Sequence, residues 1–110
     1  MKKLSISDSI DIICNLNKVL DDAYWEANNC EEKDHVYNLV NILNTEFIEL
    51  SKLSVQDHHF DYEVISISQE ALKHALTQFQ QRLSTQVRRQ STQIQLNAFL
   101  NQLIMALDTH

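Results

Sequence analysis

Glycine and proline are both absent from the 110 residues, where average usage of about 7% and about 5% would supply roughly eight and roughly five. Loops that cradle phosphate rely on glycine, because backbone N–H groups must approach the ligand closely in conformations that a β-carbon disfavours. P-loop and dinucleotide-fingerprint mechanisms are therefore excluded. The nucleophile elbow of hydrolases and tight two-residue hairpins make similar demands on the backbone, so neither an α/β hydrolase nor a β-sandwich fits. What remains is helix.

Long hydrophobic runs are also missing. The longest, Leu103 to Leu107, falls far short of the roughly 20 residues that span a bilayer. Met1-Lys2-Lys3-Leu4 starts like a signal peptide, but Asp8 and Asp11 interrupt the stretch that would have to be apolar. A soluble, cytoplasmic protein is expected. Cysteine is scarce, with only Cys14 and Cys30. On a single helix they would sit about 24 Å apart, too far to bridge, and both are expected as reduced, small core hydrophobes.

What is present is 44% hydrophobic content laid out at helical spacing. Ile6, Ile13, Leu20 and Ala27 fall on one heptad position and Leu16, Ala23 and Cys30 on another, with Ile10 and Tyr24 widening the stripe. This predicts a helix from about residue 8 to about 28, capped by Ser5 or Ser7 and ended by Asn28-Asn29 in a left-handed cap. Asn29 and Glu32 approximate a capping box for a second helix, with Glu31, Glu32 and Asp34 at its positive end. Its stripe is Val36, Leu39, Val40, Leu43, Phe47, Leu50 and Leu53, broken at one core position by Glu46. The short connection predicts an antiparallel helical hairpin.

Helical period disappears from Val55 to Ile67, the one clear loop. Val64 to Ser68 alternates with period two and echoes Leu4 to Ser7, which suggests a short extended pairing between those segments. Ser68 suits the N-cap of a third helix carrying Leu72, Leu76, Phe79, Leu83 and Val87. Leu96, Phe99, Leu100, Leu103, Ile104 and Leu107 then fall about two residues out of phase. The slip means either a fourth helix opened by a Thr92–Gln95 capping box, or one long helix over 69–107, about 58 Å in length, which would need a dimer to cover it. The fold class is thus all-α: an antiparallel bundle of four helices, or three with a long last one, built from two αα-hairpins as a single domain over residues 1–110.

Charge is segregated along the chain. Residues 1–70 hold 14 acidic and 5 basic side chains, whereas residues 71–110 hold 1 acidic and 4 basic, within an overall net charge of −6. Two readings follow: the halves neutralise each other inside one bundle, or the acidic half faces a basic partner, speeding encounter and suppressing wrong partners. Ten glutamines and nine asparagines add uncharged polar faces, the glutamines clustering from Gln69 to Gln102.

The densest set of metal-ligand types is Asp57, His58, His59, Asp61 and Glu63, but its spacing matches no helical metal motif, and no metal or cofactor is expected. Cys14 has no histidine near it in sequence to serve as its base, and Asp21-Asp22 and Glu31-Glu32 diverge by about 100° on a helix, so no catalytic pair is visible. Trp25 lies on the outer line of the first helix with Asp11 and Lys18, and Ile48 on that of the second, which suggests a second apolar surface. Leu100, Leu103, Ile104 and Leu107 exceed what one stripe needs and are assigned to the same partner interface.

The expectation is a non-enzymatic protein–protein interaction module that forms a homodimer, similar in type only to small acidic helical regulators such as antitoxins, immunity proteins and secretion chaperones. Its partner is another protein, with a basic surface. One alternative is a dimeric DNA-binding regulator using Arg82, Arg88 and Arg89 on phosphates, against which the acidic pI near 5.2 weighs. A second is a metal-binding enzyme at residues 57–63.

Overall fold

The computed structural model describes residues 4–27, 29–53, 55–83 and 89–108. Among the described residues four helices carry the fold: α1 (Ile6–Glu26), α2 (Cys30–Ser51), α3 (Gln69–Gln81) and α4 (Gln90–Asp108). A single 3-10 turn at Val55–Asp57 interrupts the long α2–α3 connection. α1 packs on α2 and α4, and α3 packs on α4 and more lightly on α2. The result is an antiparallel bundle of two hairpins.

The phase slip in the second half is thereby resolved in favour of two helices. α3 ends with Arg82 as its C-cap and α4 returns beside it. Gln80 Nε2 donates to Asn97 Oδ1 at 2.9 Å and to Asn101 Oδ1 at 2.6 Å, and Gln69 Nε2 donates to the Leu107 carbonyl at 2.6 Å. Such pairs require the two helices to run in opposite directions. One continuous helix would have held Gln69 and Leu107 about 57 Å apart. Val87 and Arg88 lie outside the described residues.

Serine and asparagine supply the helix starts. Ser5 Oγ accepts from Asp8 N at 3.1 Å, Asn29 Oδ1 from Glu32 N at 2.9 Å, and Ser68 Oγ from Ala71 N at 3.1 Å, each meeting one of a helix's unpaired donors. α1 begins two residues earlier than its periodicity suggests because the chain after α2 caps it. Ile6 N donates to the Phe60 carbonyl at 2.8 Å and Ser7 N to the His58 carbonyl at 3.0 Å. With Asp8 N held by Ser5, the whole first turn is satisfied.

Three local expectations are corrected. Asn29 is not in a left-handed conformation: it opens α2 with an extended backbone, as Ala27 leaves α1 with one, and no described residue has a positive φ. Asn28 itself is outside the described residues. The extended pairing exists, but Leu4–Ile6 pairs with Phe60–Tyr62 and not with 64–68, through an antiparallel Ser5–Asp61 bridge and a 2.8 Å bond from Tyr62 N to the Leu4 carbonyl. Thr92 is not an N-cap, since α4 starts at Gln90. Instead Glu26, from the last turn of α1, accepts from Arg89 N at 3.3 Å and Thr92 Oγ1 at 3.0 Å. A carboxylate that is unfavourable at the negative end of α1 becomes favourable at the positive end of α4.

The buried side chains form one cluster that includes Ile13, Leu16, Leu20, Val36, Leu43, Leu50, Leu72, Leu76, Leu96, Leu100, Leu103 and Leu107. The stripes read from the sequence face it, apart from Ala27 and Cys30, which do not join it, and Val87, which lies outside the described residues. Glu46 interrupts the α2 stripe and is nevertheless fully buried. It accepts from Tyr62 Oη at 2.7 Å, Ser66 N at 2.8 Å, Ser66 Oγ at 2.7 Å and Ile65 N at 3.1 Å. One carboxylate so fastens the 62–66 segment across α2, replacing water for donors that would otherwise be stranded. Burial, and after it the bond and charge of Glu46, push the Tyr62 hydroxyl well above its ordinary pKa, so it remains a donor at neutral pH. No helix among the described residues is long and apolar enough to cross a membrane.

Candidate functional site

Trp25 sits in the last turn of α1 and is 70% exposed. Because α1 and α2 are antiparallel and joined by a short connection, this end of α1 lies beside the start of α2. Tyr24 meets Trp25 edge to face, with ring centroids 5.3 Å apart, the geometry that opposes a positive ring edge to a negative ring face. The Lys33 ammonium, from the first turns of α2, stands 5.4 Å from the Tyr24 centroid and 5.8 Å from that of Trp25, within cation–π range of both. Tyr37, also exposed, lies one helical turn beyond Lys33.

Exposed acidic side chains lie within about one helical turn of Trp25 or Lys33 along their helices: Asp21 and Asp22 on α1, Glu31 and Asp34 on α2. A shallow groove of about 600 Å³ between α1 and α2, lined by Cys14, Asn17, Lys18, Asp21, Asp22 and Phe47 among others, leads up to the same end. No histidine lines that groove, so it does not bring the half-buried Cys14 an imidazole base. The other cysteine is on a different helix: Cys30 opens α2, is exposed and free, and so is not the core hydrophobe expected of it.

The residues assigned to a partner interface separate into three groups. Trp25 is exposed. Ile48 is also exposed, at 47%, but it lies near the far end of α2, about 22 Å along the helix from Lys33, so the two do not make one surface. Leu100, Leu103 and Leu107 are not on the surface at all: they are buried in the chain's own core, and Ile104 packs half-buried against it. Their apparent surplus is absorbed because α4 packs on both α1 and α3 and needs a wide apolar face.

Arg82 and Arg89 are exposed at the turn side of α3 and α4, while Arg88 lies outside the described residues. The backbone of Arg89 is tied to the Glu26 carboxylate, which places negative charge beside that residue. Arg82 and His35 line a 160 Å³ groove between α2 and α3 together with Asn38, Ile42 and Phe79. The 57–63 segment does not gather its ligand-type side chains. His59 stacks on Phe60 with centroids 4.3 Å apart, and the His58 backbone carbonyl caps α1. Among the described residues no group of three histidine, cysteine or acidic side chains converges to hold a metal ion.

Sequence reasoning singled out Trp25 but not the residues around it. Tyr24 was counted toward the core stripe and Lys33 was not singled out; only the α1–α2 hairpin brings them together. No protein-family model, no curated protein and no solved structure matches the chain significantly.

Proposed function

We propose that the chain acts by binding another protein, without catalysing a reaction, through the aromatic end of the α1–α2 hairpin. One observation carries this reading: the sole tryptophan is 70% exposed while being held in place by Tyr24 and Lys33. Large aromatic side chains with few rotatable bonds are the usual anchors of protein interfaces, because they lose little entropy and remove much apolar area from water. The acidic rim of Asp21, Asp22, Glu31 and Asp34 supports a partner with a basic surface, since a rim of one sign steers encounter more than it adds affinity.

The test uses the chain's own probe. Immobilised wild-type protein and Trp25→Ala are compared for proteins retained from the native host, and each purified candidate is titrated against the free wild-type chain by tryptophan fluorescence and against both chains by isothermal titration calorimetry. The expected result is a blue shift with saturable binding, weakened at least thirtyfold by Trp25→Ala, as a hot spot of about 2 kcal/mol would give. Binding that is identical for wild type and Trp25→Ala, or a tryptophan emission that every retained protein leaves unchanged, refutes the reading.

A further inference from the structure

α4 is the only one of the four helices with no charged side chain along nearly its whole length, from Gln90 to Leu107. At 100° per residue, its buried line runs through Leu96, Leu100 and Leu103, and the line directly opposite Leu96 passes within about 20° of Ile94, Ala98 and Met105. All three are exposed, Ile94 at 63% and Met105 at 42%. The most solvent-facing line of this helix is therefore apolar, where the matching line of α1 reads Asp11, Lys18 and Asp22. The spacing of four then seven residues is that of a helix-pairing seam. Amides flank it on both sides: Asn97 and Asn101, held by Gln80, and Gln95 and Gln102, both exposed.

We infer that the outward face of α4 pairs with the same face of a second copy of this chain, antiparallel about a two-fold axis. Residues 94 and 105 are equidistant from the point midway between residues 99 and 100, as are 98 and 101. The two-fold thus sets Ile94 against Met105 of the second copy and Ala98 against Asn101, so the seam is complementary to itself. Alanine near the axis lets the two backbones approach to helix-packing distance. Charge selects a second copy over a different partner. An amide both donates and accepts and so can pair with its own image, whereas a charged rim cannot. Two molecules of net charge −6 meet with least repulsion through their uncharged faces, and a basic partner is drawn to α1 and α2 instead. A strip about 28 Å long and about 10 Å wide covers about 280 Å² of each copy, about 560 Å² over both, the small end of interface sizes, which implies a weak dimer in the upper micromolar range. This inference does not rest on the Trp25 reading.

Sedimentation of the full chain under reducing conditions, from about 5 to about 500 μM to bracket a micromolar constant, tests it. Wild type is expected to pass from monomer to dimer across that range. Ile94→Glu and Met105→Lys, both at exposed positions, are each expected to remain monomeric with unchanged circular dichroism, and Trp25→Ala to dimerise as wild type. Ile94→Glu combined with Met105→Lys is expected to restore the dimer, because the two-fold brings the new opposite charges together. A wild type that stays monomeric throughout, or a dimer that neither single substitution disturbs, overturns the proposal. Failure of the double variant to recover dimerisation overturns its antiparallel register.

Discussion

Replacing Glu46 by glutamine changes one oxygen to an NH2 group without changing shape, and the structure fixes what that costs. The carboxylate meets four donors: Tyr62 Oη on Oε2, Ser66 N and Ser66 Oγ on Oε1, and Ile65 N shared between both at 3.1 and 3.2 Å. A glutamine oxygen placed at Oε1 keeps both Ser66 bonds. Its NH2 then faces Tyr62, whose hydroxyl can rotate to accept, and takes the place of one of the two oxygens shared by the Ile65 N–H, which keeps only its 3.2 Å bond to Oε1. Every bond to a charged acceptor becomes a neutral one, and the part-buried Ile65 donor loses one of its two acceptors. With bonds to charged groups worth about 1.5–3 kcal/mol and neutral ones about 1, the weakening of these four bonds together should make Glu46→Gln destabilise by about 2–4 kcal/mol, a large share of the roughly 5–15 kcal/mol that holds a domain of this size. Urea unfolding followed by circular dichroism gives the stability loss, and hydrogen exchange at the Ile65 and Ser66 amides shows whether the damage is local. A Glu46→Gln protein within about 0.5 kcal/mol of wild type, the scatter of ordinary surface substitutions, with both amides still protected, would refute the reasoning.

The Tyr62 hydroxyl gives a pH signature. Its pKa is raised in the folded chain from an ordinary value of 10.0, so above pH 10 the unfolded chain loses this proton while the folded one keeps it. The stabilisation is complete below pH 10 and declines as pH rises, and the stability gap between wild type and Tyr62→Phe should shrink by up to about 1.4 kcal/mol per pH unit above that point; a gap constant from pH 8 to 11.5 contradicts this. Leu103→Ala, at a fully buried position, should cost about 2–5 kcal/mol in chemical unfolding, and a loss below about 0.5 kcal/mol would return Leu103 to the surface role that its sequence position first suggested.

Much of the bundle was legible because hydrophobic period is a one-dimensional signal. The absence of glycine and proline, the stripes of α1 and α2, and the caps at Ser5, Asn29 and Ser68 all act within a few residues along the chain. What escaped acts across it. Glu46 appeared only as an interruption at a core position, because its donors are 16–20 residues away. Glu26 looked like one more acid in an acidic half, yet it caps a helix more than sixty residues later. The start of α1 was misplaced for the same reason: the carbonyls that satisfy it belong to His58 and Phe60.

The apolar content of α4 shows how one pattern carries two messages that periodicity alone does not separate. Leu100, Leu103 and Leu107 read as surplus when one stripe per helix is allowed, but a helix packed on both α1 and α3 fills a wider arc, and they fall within it. Once those residues are assigned to the core, what is left over is Ile94, Ala98 and Met105, on the opposite side. The surplus on α4 is therefore real, but it is carried by different residues. The distinction has physical consequences, because truncating a buried leucine opens a cavity and destabilises the chain, whereas charging an exposed isoleucine leaves the fold intact and alters only what can pack against it. Substitutions on the two faces of α4 thus separate stability from association, and a variant that lost both together at Ile94 would place that residue in the core rather than on a seam.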